Sequence, residues 1–492
     1  MPTSAGELLQ LVRSERATTR KALLTSTGLS RTTLTARLDQ LLGAGLLAED
    51  GHEDSTGGRP ARHLRFDDGH AVVLAASIDT MHAEAAVTDL AGRRLAHRAG
   101  ELRVADGPEA VLDRIAEWFE AMLAEVGRPG GGLQGHSPGE PRLAGQVPGG
   151  PGGVVRAGPG LAGARGGAVG GNPGSDGGPG GVAATGPGLV GGHGGAAADN
   201  PGSAGGPSGV AGVNPGSAGG QAGIAGAEPS SATRPRGAAG AGWPPVCGIG
   251  ISVPGPVEPG RTCVTQPPIM PGWDGYPIDT HLGPRFGAPV LVDNDANLMA
   301  LGEHRARYPD SPALVVVKAS TGIGAGLVIG GEVYRGVDGG AGDIGHVRLP
   351  DHPEARCLCG STGCLAAVAG GGALAARLTE LGLPTTSGSG VRERILAGEP
   401  AAVRLAEEAG RQVGEVLATL VCVVNPGVLV VAGDLAEPHF VAGVREVLYR
   451  RALPRSTRNL RIEIGGRGQA IDGAVAMVVD AQFSPAAVDK RL

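Results

Sequence analysis

Over the first forty-five residues, apolar positions recur at helical spacing. Leu8, Leu11 and Val12 share one face of a first helix, and Leu23 and Leu24 mark a short second helix behind Thr18-Thr19. Gly28-Leu29 forms a tight turn. Ser30 is a good N-cap for a third helix, whose Leu34, Leu38 and Leu41 form one stripe, and Gly43 and Gly45 end it. Two short helices, a glycine-bearing turn and a third helix with a polar outer face predict a helix-turn-helix. The segment STGGRPARHLRF follows, and its Gly-Gly turn, flanked by Arg59, Arg62 and Arg65, has the form of a wing. From Ala71 the pattern changes: AVVLAASIDT and AEAAVTDLAG read as strands, and helix and strand then alternate to the end, which predicts an α/β fold. The change falls at Asp67-Asp68-Gly69, so residues 1–68 form one domain and the α/β part begins at 69.

The alternation is interrupted between residues 129 and 242, which hold about 40 of the 90 glycines. Starts at Gly158, Asn172, Gly186, Asn200 and Asn214 recur every 14 residues. Glycine does not fall at every third position, which excludes a collagen helix. Each repeat offers at most two residues among Leu, Val and Ile, too little to stack into a solenoid or offset the entropy of ordering. The segment reads as a disordered Gly/Pro/Ala-rich insertion grown by tandem duplication. It divides the α/β domain into 69–128 and 243–492.

Composition narrows the function classes. The chain has 492 residues, only 12 of them aromatic, so its core is built from Ala, Val, Leu and Ile. A net charge of −6 excludes a protein that is basic overall, and any nucleic-acid surface must be local. Residues 1–68 balance nine basic against nine acidic groups, yet residues 13–37 hold six basic groups and one acid. The outer face of the third helix carries Arg31, Thr32, Thr33, Thr35 and Arg37, with Ser30 at its start, where the base edges of double-stranded DNA would be met in a major groove. Arg59 and Arg62 add candidate contacts from the wing. No apolar run reaches the roughly 18 residues of a membrane span, and the N-terminus lacks the pattern of a secretory signal. Six cysteines are too few for a disulfide scaffold in a chain this long, and a cytoplasmic protein is expected.

His346, Cys357, Cys359 and Cys364 are spaced H-x10-C-x-C-x4-C, and three thiolates with one imidazole suit a closed, structural zinc site. Cys247, Cys263 and Cys422 lie in apolar stretches and are expected in the core. Four glycine-bearing segments precede the cluster in sequence: GIGISVPGPV, PPIMPGWDGYPI, VDNDANLMALGEH and STGIGAGLVIGG.

Taken in order, these segments, the cysteine cluster and the helix-turn-helix resemble the ROK family of repressors, open reading frames and kinases. The resemblance covers the chain outside the insertion. It implies a two-lobed actin-like domain around a sugar cleft, with zinc beside it. Asp295 matches the family's catalytic aspartate. Asn294, Asp343 and His346 match sugar-side positions, and Gly322 matches the second phosphate loop. The first phosphate loop departs from the kinase pattern: Ser77 stands at its Asp, Asp79 at its first Gly and Met81 at its Thr. That removes a magnesium-organising carboxylate and sets a negative charge where phosphate would lie. Asp434 replaces a glycine of the adenosine-side loop. On the sugar side Asp343 replaces Glu, and Ala366 replaces a second Glu. The resemblance therefore implies a DNA-binding regulator, a repressor of carbohydrate genes with a sugar or sugar-phosphate effector, assembled as a homodimer or homotetramer. ATP and magnesium are not expected, and neither is catalysis. The alternative is an ATP-dependent sugar kinase with an appended N-terminal domain. Deletion of residues 130–241 is expected to leave thermal stability and DNA affinity unchanged, checked by a melting curve and a binding titration.

Overall fold

The computed structural model describes residues 4–50, 62–127 and 244–492. Arg59 and the segment 129–242 lie outside the described residues.

The N-terminal domain has the predicted order. Helix α1 (Ala5–Arg13) opens with a capping box, in which Ser4 and Glu7 each satisfy the other's backbone N–H. Helix α2 (Arg20–Thr27) ends at Gly28, whose φ of 69° closes the turn. Helix α3 (Arg31–Gly43) is capped by the Ser30 hydroxyl, which accepts from the Thr33 N–H at 3.1 Å. Leu34, Leu38 and Leu41 of α3 are buried. Strands β1 (Leu47–Asp50) and β2 (His63–Phe66) pair antiparallel, with Leu47 opposite Phe66, and form the stem of the wing.

Two α/β lobes follow. The first contains β3 (Val72–Ile78), β4 (His82–Asp89), β5 (Arg94–Glu101), α4 (Pro108–Val126), β6 (Val246–Val253), α5 (Ile278–Phe286) and β7 (Val290–Asn294). Its five strands lie in the order β5-β4-β3-β6-β7. The first three form an antiparallel meander, and β6 and β7 add in parallel beyond β3. Helix α6 (Asp295–Arg307) leads to the second lobe, which opens with β8 (Ala313–Ala319), β9 (Ile323–Ile329) and β10 (Glu332–Val333). Four helices come next: α7 (Leu365–Ala369), α8 (Gly371–Glu380), α9 (Gly388–Leu396) and α10 (Pro400–Val424). The lobe closes with β11 (Val428–Ala432), α11 (Pro438–Arg451), α12 (Pro454–Thr457) and β12 (Arg461–Ile464). Its order, β10-β9-β8-β11-β12, repeats the plan of the first lobe. Helices α13 (Gln469–Gln482) and α14 (Pro485–Arg491) end the chain.

The cores follow this plan. One face of the first sheet packs on α4 and α5 around Phe119 and Trp273, and one face of the second packs on α7 to α11. The other faces are covered by α13 and α6. Residues of β3, α13, α1 and α3 share a single cluster, so the N-terminal domain is seated directly on the first lobe. Helices α6 and α13 meet backbone to backbone. A Cβ at Gly302 would lie 2.1 Å from the Gln469 carbonyl oxygen, and one at Gly473 would lie 1.8 Å from that of Leu298. Among the described residues, no single helix is long and apolar enough to cross a membrane.

One expectation for the core is corrected. Cys263 is buried, but Cys247 is only partly so and Cys422 is exposed. The apolar run LVCVV lies at the end of α10, where the helix turns one side away from the lobe.

Candidate functional site

Three groups of candidate residues occupy three places. On the N-terminal domain, Arg31, Thr32 and Thr35 project from α3 into solvent. Ser30 and Thr33 are engaged with each other, hydroxyl to hydroxyl at 2.8 Å, so their first role is to hold the start of α3. Arg37 is half-buried, and one of its terminal nitrogens is buried without a hydrogen-bond partner. Arg62 pairs with Glu49 at 2.8 Å, and Arg20 reaches the same carboxylate at 3.0 Å. These hydrogen bonds, led by that of Arg62, pull the Glu49 carboxyl below its ordinary value. They also tie the wing stem to α2.

The second group lines a cavity of 830 Å³ between the lobes, which Asn294, Asp295, Gly322, Asp343 and His346 all border. Asn294 caps α6: its Oδ1 accepts from the Ala296 N–H at 3.0 Å, while Nδ2 donates to the Gly255 carbonyl at 3.1 Å. Asp343 precedes and His346 ends a 3₁₀ turn, Ile344–His346, set tightly on β9; a Cβ at Gly345 would lie 2.1 Å from the Ile323 oxygen. Burial pushes the Asp343 carboxyl up, and His346 opposes it.

Around Asp295 the cavity wall carries a charge cluster whose lysine sequence reasoning missed. Lys318, at the end of β8, donates to Asp295 Oδ2 at 2.5 Å and lies 3.2 Å from Asp79 Oδ2. Burial would raise Asp79, but the Lys318 ammonium and the Thr80 N–H outweigh it and hold the carboxyl below its ordinary value. At Asp295 burial prevails and, with the Asp79 charge, raises the carboxyl against the pull of Lys318. Burial would lower Lys318, but its two carboxylates more than reverse this. Burial and Asp79 also push Asp434 up. Thr80 Oγ1 meets Thr321 Oγ1 at 3.2 Å, which joins the β3–β4 turn of one lobe to the β8–β9 turn of the other. The negative charge expected at the first phosphate loop is thus present, and a resident ammonium pairs with it. Met81 points outward, 49% exposed.

Two further side chains border the cavity. Asn297 is buried, and its amide donates to Asp293 Oδ1 at 3.0 Å, which leaves its carbonyl oxygen without a partner. Asp293 is fixed in turn by Arg335 at 2.6 Å. Gln266 holds a φ of 45°, a strained value for a residue with a Cβ, and its N–H is tied to Asp274 at 2.7 Å. The sequence signal for Asn297 was its place one turn beyond Asn294 on the same helix.

The third group is the cluster of His346, Cys357, Cys359 and Cys364, whose ligand atoms all lie within 4.8 Å of one another. These four side chains could hold a metal ion. Cys357 Sγ is 3.8 Å from His346 Nδ1, and Cys359 Sγ is 3.8 Å from Cys364 Sγ. His346 belongs both to this cluster and to the cavity wall. Gly360 and Gly363, with φ of 85° and 73°, make the turns that face three cysteines inward.

Two lobes of one plan around a cavity, behind a winged helix-turn-helix, define an actin-like protein with an N-terminal head. The ROK family profile matches residues 242–480. The N-acetylmannosamine kinase of Citrobacter koseri is 30% identical over 230 residues, covering 45% of this chain and 78% of that one. The xylose repressor of Caldicellulosiruptor bescii is 30% identical over 263 residues, covering 49% of this chain and 64% of that one. A solved ROK family transcriptional regulator, a homologue of the E. coli MLC protein, shares the fold. It matches with a TM-score of 0.64 at 18% identity, over 99% of this chain and 98% of that one. The chain belongs to the ROK family. Its matches span 63% and 64% of the length of the first curated relatives.

Replacing Lys318 with Met leaves two carboxylates facing each other, a loss of about 3–5 kcal/mol for a broken buried pair. In the variant, Asp79 joins Asp295 in having a raised pKa. A raised carboxyl stabilises the fold below its unfolded pKa, and that contribution is lost as pH rises through the folded value. The deficit of Lys318→Met is therefore expected to be larger at pH 7 than at pH 4, as read by urea unfolding at both.

Proposed function

We propose that this chain is a sequence-specific DNA-binding transcriptional regulator, a repressor of carbohydrate uptake or metabolism genes, with a sugar or sugar-phosphate effector in the interlobe cavity. The observation that carries the reading is the pairing of an exposed Arg31, Thr32 and Thr35 face on α3 with a cavity whose phosphate end is already filled by Asp79, Lys318 and Asp295. The first element has no use in a kinase. The second works against one, because Asp295, the residue matching the catalytic base, is neutralised by an internal ammonium, and Asp79 and Asp434 would repel a polyphosphate. ATP and magnesium have no role in this reading. Regulators and kinases both occur among the relatives, and the xylose repressor among them makes D-xylose the first effector to try.

The cavity suits a polyol. The free carbonyl oxygen of Asn297 and the Asp343 carboxylate accept from hydroxyls, and the second Nδ2 proton of Asn294 can donate. The operator is double-stranded DNA with half-sites related by the symmetry of a homodimer or homotetramer. The cluster of His346, Cys357, Cys359 and Cys364 holds zinc in a structural role. Its 3.8 Å sulfur–sulfur spacing matches the edge of a tetrahedron whose metal–sulfur bonds are about 2.3 Å. Zinc there fixes the loop that carries His346 against the cavity. Reduced thiols of this kind fit a cytoplasmic protein.

The test is selection of bound fragments from sheared genomic DNA at near-physiological salt, where non-specific phosphate contacts are weak. A short set of palindromic sites is expected, with affinity altered by D-xylose or another aldose. Arg31→Ala is expected to weaken binding to the selected site about tenfold, with an unchanged melting temperature. Absence of enriched sites, together with ADP release on addition of a hexose, would replace this reading with that of a kinase.

Elemental analysis of the purified protein is expected to find one zinc ion per chain. Cys364→Ser is expected to lose it and to melt at a lower temperature, since the metal binds the folded state alone.

A further inference from the structure

The N-terminal domain is seated on the first lobe, and one chain of its contacts leads along α6 back to the cavity. Helix α6 begins there, at Asn294 and Asp295, and ends about 20 Å away at thirteen residues of 1.5 Å rise. Near its far end Arg305 donates to Asp480 Oδ2 on α13 at 2.7 Å. The other oxygen of the same carboxylate faces Arg13 of α1 at 3.8 Å. Arg13 lies against two rings that touch each other edge to face, 5.3 Å from the Phe66 centroid on the wing stem and 5.7 Å from that of Phe483, the residue that follows α13. Gln10 of α1 donates to the Phe483 carbonyl, and the Gly6 N–H donates to Asp489 of α14 at 2.7 Å. The head is thus held by the end of α13 and by α14.

Helices α6 and α13 have no side chain between them at Gly302 and Gly473. Close-packed backbones transmit displacement with little slack, because neither side has a rotamer to adjust.

We infer that α6 and α13 form one rigid strut from the cavity to the DNA-binding domain, and that Asp480, shared by Arg305 and Arg13, is the positioning residue that carries a shift of the strut into α1. A hydroxyl that binds Asp295 meets Lys318 on the same carboxylate, so occupancy of the cavity acts on the first turn of α6. The far end moves with it, and α1, Phe66 and the wing stem follow through Arg13. The inference deepens the regulator reading by naming how the cavity reaches the head.

The test needs neither sugar nor operator. Hydrogen–deuterium exchange is followed in the full chain for the wild type, Lys318→Met, Asp480→Asn and the double variant. Exchange of α1 amides is read relative to α10 amides, which report global opening. Lys318→Met is expected to change the relative exchange of α1 by about threefold or more, and the Asp480→Asn background is expected to remove most of that change. Arg13→Gln is expected to act like Asp480→Asn. If Lys318→Met does not fold, Asp295→Asn perturbs the same end of α6. An α1 response that is absent, or of full size without the Asp480 carboxylate, overturns the inference. Neither result bears on whether α3 binds DNA, and failure to find an operator leaves this cycle intact.

Discussion

The contact between α6 and α13 is the constraint from which the rest of the architecture follows. Each helix covers one sheet, and the two sheets belong to different lobes, so their crossing fixes how the lobes face each other. A single methyl at Gly302 or Gly473 would stand within a bond length or so of a carbonyl oxygen. Neither helix can therefore shift alone. The cavity opens at one end of this pair and the N-terminal domain rests at the other, so both surfaces take their geometry from one crossing.

The cavity is arranged around charge as much as shape. Lys318 satisfies Asp79 from the first lobe and Asp295 at the lobe junction, and the Thr80–Thr321 pair closes the same end. An ion pair buried in this way gains little stability over a well-packed apolar substitute, but removing one member is costly. Its effect is to specify: it holds two hairpins of equivalent position in the duplicated lobes at a set distance. The part of the cavity around Asn294, Asp343 and His346 is built differently, from a helix cap, a 3₁₀ turn and the loop that carries the cysteine cluster.

Much of this was legible in the sequence, for identifiable reasons. The leucine stripe of α3 and its Ser30 cap are local, and local patterns survive into the structure. The strands at 72–78 and 82–89 were readable because both faces of the first lobe's sheet are buried, which gives continuous apolar runs. The cysteine spacing announced its cluster because the ligands lie close in the chain. Lys318 was not legible: within ALVVVKA it reads as one polar position in a strand, and its partners come from distant segments. Asp79 was recognised as a charge in the wrong place for phosphate, but its counter-ion was not. The seating of Arg13 against the paired rings of Phe66 and Phe483 depends on three segments far apart in sequence, and no periodicity could reveal it. Cys422 misled because an apolar helix end resembles core until its neighbours are known.

The two sets of cations in this molecule differ in their access to solvent, and mobile ions separate them. Lys318 is sealed between carboxylates, with its side chain 13% exposed, whereas Arg31 stands in water at the start of α3. Added electrolyte shortens the Debye length and strips exposed charges of their reach, but it screens buried pairs much less. Of these two, ionic strength therefore acts on Arg31 far more than on Lys318. The cavity keeps its electrostatic arrangement over a range of salt in which the attraction of the α3 face for a polyanion rises or fades.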